Sequence, residues 1–370
     1  MASAYATKIA EGFSQKLMKE FYDRNLVDVI VNRDYEGEIN QIGSKLNILN
    51  FSRISEQTYT KGGITAEDLY ENNATLTIDQ YKSFYWKEYS IDKWLSYIKN
   101  PHSTIVAQKA DERSKNVDEY VLGLYGDVGA GNRVGTDYTT GTVTITVTTG
   151  AVVGDGTTFT SAMVGKGFKA LGHTKWYRVK SYASATSIVI EDDLDDTTSA
   201  YTGGAINSGA TYTIEANTAL SITTSNLLQY VSELKEKLDT AERLDNNAVP
   251  DSDRVLIVPP EFESVLVRAS GVALHVPEVF NDLVQKGFIT MLQGFKVYKS
   301  NRLTGNNTDG FHVLALHPNW CTFAEKLLEA EIEEDLTGDF GSAYKDLFVY
   351  GAKITDARRH FAAEGFFTFA

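Results

Sequence analysis

Six histidines (His102, His173, His275, His312, His317 and His360) and one cysteine, Cys321, are the residues of this 370-residue chain best suited to metal or nucleophile chemistry. Zinc needs them in close pairs, as in HExxH or repeated CxxC spacing, and neither pattern occurs. His312 and His317, five residues apart, read as packing residues on a strand and at its end. Cys321 lies in HPNWCTFA, an apolar and aromatic setting that suits a small buried thiol. A lone cysteine forms no intramolecular disulfide, so the fold needs no oxidising compartment.

Two further motifs carry chemistry elsewhere. GAGNRVG, residues 129–135, has the glycines of a phosphate cradle, but its spacing is GxGxxxG and it leads into a Thr-rich strand instead of a helix, so it reads as a hinge. EDDLDD brings Asp192, Asp193, Asp195 and Asp196 together beside Glu191, a candidate Ca²⁺ cluster because Ca²⁺ takes clustered carboxylate oxygens. The run lacks the central Gly and the terminal bidentate Glu of an EF-hand loop, which makes a solvated turn between strands the simpler reading. No GxSxG elbow is present, and 49 acidic residues without a second marker single out no acid/base pair. The expectation is a protein with no catalytic residues and no cofactor.

Composition narrows the class further. With 49 acidic against 35 basic residues, the formal net charge of -14 argues against tight coating of phosphate backbones, which draws on clustered Lys and Arg. No run reaches the roughly 18 apolar residues of a spanning helix, and the N-terminus lacks a basic region followed by an apolar one. These features read as a chain made in a cytoplasm, without a membrane segment. The length suits two or three domains.

The elements that would position any site follow from periodicity. Residues 8–22 place Ile9, Phe13, Leu17 and Phe21 at spacings of four, the stripe of an amphipathic helix. LVDVIV, residues 26–31, is β-branched and predicts a strand. QIGSKLNIL, carrying Leu46 and Ile48, predicts one arm of a hairpin, and NNATLTIDQYKSFYWKEYS, residues 72–90, its return. The polar span between them turns at Gly62-Gly63, so the pair reads as a long two-stranded projection that rests on another subunit, since isolated ribbons are marginal in water. The aromatic run at residues 81–97 is placed in a core or a subunit interface.

Residues 102–125 predict a long, mostly exposed helix after Pro101. From Thr136 to Thr160 eleven of twenty-five residues are Thr, alternating with Val and Ile, and short strands continue to about residue 216. This is an all-β module of five or six strands. A helix follows at residues 225–245 with Ser225 as cap, then strands interleaved with helices, including a helix over CTFAEKL, and a closing pair of strands from residue 327. A β-module between two helix-bearing segments has the pattern of an insertion.

This order of parts resembles the major capsid protein of tailed bacteriophages with the Hong Kong 97 fold. The resemblance rests on KIAEGFSQKLMKEFYDRNLVDVIVNRDYEGEI running into GSKLNIL, the return TLTIDQYKSFYWKEYSID, and RVLIVPPEFESVL followed by GFKVYKSNRL. It implies an α+β fold with an N-terminal arm (1–32), an extended loop hairpin (33–90), a peripheral domain with a spine helix (91–132 and 312–370), an inserted β-domain (133–216) and an axial domain (217–311). It also implies self-assembly from hexamers and pentamers into an icosahedral head around double-stranded DNA. Portal, scaffolding and decoration proteins would be the partners, the scaffold a separate chain because the arm starts within about ten residues of Met1. Phe13, Leu17, Phe21, Leu46, Ile48, Tyr59, Lys61, Ile64, Phe84 and Trp86 are the interface residues expected on this basis. Lys61 stands where some family members form an isopeptide cross-link, but no Asn follows Asn319, so none is expected here. A tail-tube or baseplate subunit is the nearest alternative, and a ligand-binding or hydrolytic protein with a β-appendage a more distant one.

Overall fold

The computed structural model describes residues 17, 21, 25–34, 45–48, 56, 74–90, 101–192, 200–241, 248–270, 288–333 and 340–370. In chain order these hold α1 (Val27–Ile30), β1 (Lys45–Ile48), β2 (Ala74–Thr77), β3 (Gln80–Tyr89) and the long α2 (Pro101–Leu122). Nine short strands follow: β4 (Arg133–Val134), β5 (Thr136–Tyr138), β6 (Thr142–Ile145), β7 (Ala151–Asp155), β8 (Gly167–Ala170), β9 (Tyr177–Ser184), β10 (Ser187–Asp192), β11 (Ile206–Ala210) and β12 (Tyr212–Thr218). Next come β13 (Leu220–Ile222), α3 (Leu227–Asp239), β14 (Val255–Val258), α4 (Pro260–Ser270), β15 (Phe288–Leu292) and β16 (Phe295–Lys299). The chain closes with β17 (Gly305–Asn306), β18 (Gly310–Leu316), β19 (Thr322–Glu333), β20 (Gly341–Lys353) and β21 (Ala362–Phe369).

Two units divide these elements. The first takes described residues within Asn32–Pro101 and Cys321–Thr355; the second takes those within Lys16–Val31, His102–Trp320 and Asp356–Ala370. The range 312–370, expected as one domain with α2, is therefore shared out. β18 and β21 lie in the second unit's central sheet, and β19 and β20 in the first unit's sheet.

In the first unit β1 and β2 pair antiparallel, Leu46 opposite Leu76 and Ile48 opposite Ala74. The expected return arm is two strands, not one. Among the described residues β2 answers β1, while β3 joins β20 in a three-stranded sheet ordered β19-β20-β3. Leu46, Ile48, Leu76, Ile78, Ala324 and Val349 form the core beneath the hairpin stem. CTFAEKL is strand, not helix, because β19 pairs along β20 and buries Phe323 and Ala324. Helix-favouring Ala, Glu, Lys and Leu yield there to tertiary pairing. Asn32 bridges Thr322 in parallel, and Arg33 Nη1 meets Glu325 Oε1 at 2.8 Å.

The second unit is built on a mixed sheet ordered β13-β21-β18-β14-β16-β15. All four residues of β14, VLIV, are buried, as expected of a strand covered on both faces. α3 supplies Leu227, Val231, Leu234 and Leu238 to a core shared with Val265 of α4 and Phe295, Val297 and Phe367 of the sheet. Each such side chain, fully buried, contributes roughly 1.5–3 kcal/mol. Asn226, not Ser225, precedes α3.

LVDVIV is a correction: Val27–Ile30 is helical. The Val27 N–H donates to Asn25 Oδ1 at 3.0 Å and to Asp118 Oδ1 at 3.3 Å, and Trp320 Nε1–H donates to the Ile30 carbonyl at 2.7 Å. Side chains distant in sequence thus satisfy both ends of a helix that β-branched residues alone would not form. α2 is also less exposed than its charges suggest. Lys109, Arg113, Ser114 and Asp118 are buried with Val106, Ala110, Val117 and Val121, and Arg302 Nη1 donates to Ser114 Oγ at 2.8 Å and pairs with Asp118.

The Thr-rich segment forms an eight-stranded sheet, ordered β11-β6-β7-β10-β9-β8-β12-β5, instead of five or six strands. Val143, Ile145, Val152, Phe168, Val179, Ile188, Ile190 and Ile214 fill its core. Thr142 and Thr144 alternate outward from Val143 and Ile145, as a two-residue period requires. The turn before β7 needs Gly150, at φ 62°, where a Cβ would stand 2.1 Å from the Ile190 carbonyl oxygen.

Candidate assembly surface and buried charge cluster

β3 carries the aromatic run, and its two faces differ. Phe84 and Trp86, expected at an interface, are half-buried; Trp86 stacks on Tyr344 of β20 with ring centroids 4.3 Å apart and planes 9° from parallel. The alternate positions Tyr81, Tyr85 and Tyr89 are the exposed ones, Tyr85 at 58%. Period-two counting along the strand separates the two faces. Phe340, just before β20, is 88% exposed.

Leu46 and Ile48 are only 3% and 2% exposed within the chain itself. The idea that they wait for partners on other subunits is therefore corrected: Leu76, Ile78, Ala324 and Val349 already cover them. Leu17 and Phe21 are helical and fully buried. Phe13, Tyr59, Lys61 and Ile64 lie outside the described residues.

Of the Ca²⁺ candidates, Asp193, Asp195 and Asp196 also lie outside the described residues. Asp192 Oδ2 accepts Lys175 Nζ at 3.0 Å and Thr202 Oγ1 at 2.6 Å, so a lysine already neutralises it. Among the described residues no three His, Cys, Asp or Glu side chains gather in a way that would hold a metal ion. Cys321 is buried.

GAGNRVG proves to be an anchored junction, not a hinge. Gly131, at φ 96°, sends its N–H to Glu215 Oε2 at 2.9 Å, and a Cβ there would stand 2.6 Å from the Trp176 ring. Asn132 Nδ2 donates to the His360 and Ala362 carbonyls, both at 3.1 Å. Arg133 then enters a buried cluster: its Nη1 lies 3.1 Å from Glu364 Oε2 and its Nε 3.7 Å from Glu215 Oε1. Glu215 Oε1 also accepts the Gly167 N–H at 3.0 Å. Lys166 Nζ donates to the Ala216 carbonyl at 2.7 Å and the Asn217 carbonyl at 3.0 Å.

His312 completes the cluster, with Nδ1 2.6 Å from Glu364 Oε1 and its ring stacked between Tyr125 and Phe366 at 3.9 and 4.6 Å. Burial would raise the Glu364 carboxyl, but the Arg133 charge, the His312 hydrogen bond and the Lys166 charge outweigh it and hold the group below its ordinary value. Burial pulls Lys166 down to about 8, against the attraction of Glu364 and Glu215. The residues are spread from 133 to 364, which is why no local motif announces them. Their arrangement satisfies buried charge and fixes the chain where the Thr-rich sheet joins the central one.

The described elements are an α+β set: a paired β1–β2 stem, the long α2, a three-stranded sheet and two sheets of eight strands. A family model described as phage capsid protein matches residues 177–362. Two solved structures share the fold. One, described as Mycobacterium phage Che8, has a TM-score of 0.52 and 16% identity, covering 92% of this chain and 90% of its own. The other, the capsid structure of cyanophage P-SCSP1u, has a TM-score of 0.52 and 14% identity, covering 92% and 87%. No curated protein matches the sequence. The chain belongs to the phage capsid protein family. No helix among the described residues is long and apolar enough to cross a membrane.

Proposed function

We propose that the chain assembles with the organisation of the Hong Kong 97 fold. Residues 1–32 serve as an N-terminal arm and 33–90 as an extended loop; α2 is the spine helix and the α3–α4 region the axial domain. The observation that carries this reading is the β1–β2 stem, whose antiparallel register closes a hairpin across residues 49–73. The Thr-rich sheet acts as an inserted domain. Support comes from Gly135, whose Cβ would stand 2.9 Å from Ala216 Cα, and from β5 pairing with β12, Thr136 opposite Thr218, so the inbound and outbound strands run side by side.

Hexamers and pentamers of the chain close an icosahedral shell around double-stranded DNA, with portal, scaffolding and decoration proteins as partners and synthesis in the host cytoplasm. The chain performs no catalysis. A net charge of -14 makes the shell a poor binder of its genome, so filling the head relies on a motor and not on attraction to the wall. Electron microscopy of the purified, overexpressed chain tests the proposal. Closed polyhedral shells are the expected result, and tubes or dispersed monomers would overturn it.

A further inference from the structure

β4 and β13 lie on the same flank of β21. The other flank is taken by β18, which pairs with β21 from Ala362 to Phe367. Both short strands run parallel to β21 and follow one another along it. Arg133 and Val134 stand beside Glu364 and Gly365, then Leu220, Ser221 and Ile222 beside Phe367, Thr368 and Phe369. One position, opposite Phe366, separates them. Between Val134 and Leu220 the chain runs through all eight strands of the Thr-rich sheet and returns.

We infer that β4 and β13 are two halves of a single edge strand, and that the Thr-rich module is carried at one position of it, the slot opposite Phe366, without setting the register of the strand it interrupts. This rests on the reading of the module as an inserted domain and fixes where, and in which phase, the insertion sits.

Side-chain direction supports a single strand, in which alternate residues face opposite sides. Val134 and Ile222 belong to the core that α3 and α4 share with the sheet, and Leu220 packs against it. Arg133 turns to the charge cluster on the other face, and Ser221 is exposed. With one residue in the slot the order becomes Arg out, Val in, slot out, Leu in, Ser out, Ile in. The alternation crosses the interruption unbroken. β21 agrees with it: Phe367 and Phe369 join the same core, while Glu364 and Phe366 hold His312 on the far face.

Spacing fits as well. Val134 and Leu220 pair with residues two apart on β21, a gap of about 6.6 Å that one extended residue bridges. Charge also fits. To the buried cluster the module brings one acid, Glu215, and one base, Lys166. Taking both away leaves Arg133 with Glu364, so the cluster stays balanced. Lys166 lies over the Phe366 ring, 5.5 Å from its centroid, so the module covers the slot from which it departs. A strand that keeps its phase, spacing and charge without the module is a port for a folded domain whose two ends lie close together.

A deletion series in the otherwise complete chain tests this. Removing residues 135–218 joins Val134 to Ala219 and leaves one residue in the slot. Removing 135–219 leaves none, and removing 135–217 leaves Thr218 and Ala219; either change turns Leu220 and Ile222 away from the core and Ser221 into it. The 135–218 deletion should fold and melt cooperatively, several degrees above its two neighbours. Three deletions that melt alike, or a neighbour that melts highest, would overturn the inference while leaving the inserted domain standing, because a slack connection is indifferent to phase. Loss of Lys166 bares one face of the Phe366 ring, so the series is repeated with Phe366→Thr, which separates sticking of a bared ring from loss of register. A phase preference that persists in that background supports the single strand, and one that vanishes counts against it. Failure of all three deletions to fold in both backgrounds would sink the inserted-domain reading and this inference with it.

Discussion

Arg133 is the residue on which the buried cluster turns, because its guanidinium meets Glu215 and Glu364 and also donates to the Gly126 and Val128 carbonyls. Replacing it by Met strands two buried carboxylates, and removing one partner of a buried pair costs about 3–5 kcal/mol; denaturant unfolding of the full chain measures the loss. Glu364 sets the acid side. Its folded pKa lies below the unfolded value near 4.5, so its contribution is fully present above that pH and is lost as pH falls through the lower, folded value. Glu364→Gln should therefore flatten the fall in stability below pH 4.5, as followed by melting temperature against pH. Gly131→Ala should cost roughly 1–3 kcal/mol from its left-handed backbone alone, with the Trp176 ring adding to it. Of this site the sequence disclosed only the glycines, read as a hinge; the carboxylates that make it rigid come from residues 215 and 364, beyond the reach of any local pattern.

At the scale of the element, the buried β1–β2 stem and the exposed face of β3 differ in what they contribute to stability. Leu46→Asp with Ile48→Asp places two carboxylates in a core that already encloses those positions, so the variant should lose soluble, folded protein before assembly can be asked about. Tyr85→Ser touches no core and should leave the stability within about 0.5 kcal/mol of wild type, as denaturant unfolding would measure. The hairpin, the long helix, β14 and the helix after it, and the Thr-rich strands were all legible, because apolar periodicity marks them. Two elements were not. VDVI is helical because Asn25, Asp118 and Trp320 satisfy its ends, and TFAEKL is extended because β20 pairs with it.

At the scale of the molecule, the Thr-rich sheet has its own core and leaves the central sheet through neighbouring strands. Replacing residues 136–217 by a two-residue turn should give a chain that still unfolds cooperatively, at a lower midpoint because Glu215 is lost from Arg133. A chain that fails to fold at all would mean that the two sheets form one indivisible body. The order of parts was readable at this scale because each segment has its own composition. Their allocation was not, since β18 and β21 enter the central sheet from a stretch of sequence that also supplies β19 and β20.

The junction at residues 131–134 also has a mechanical side. β4 is a parallel pair of only two residues with β21, Arg133 beside Glu364 and Val134 beside Gly365, and it is the inbound of the two stretches, with β13 the outbound one, through which a tug on the Thr-rich sheet reaches the centre. Two ladder rungs resist little force by themselves. Arg133 and Asn132, bonded to the same strand and its approach, act as rivets across that short seam. At this inbound end the attachment yields under sideways force only when those rivets fail together, so it should break abruptly instead of stretching.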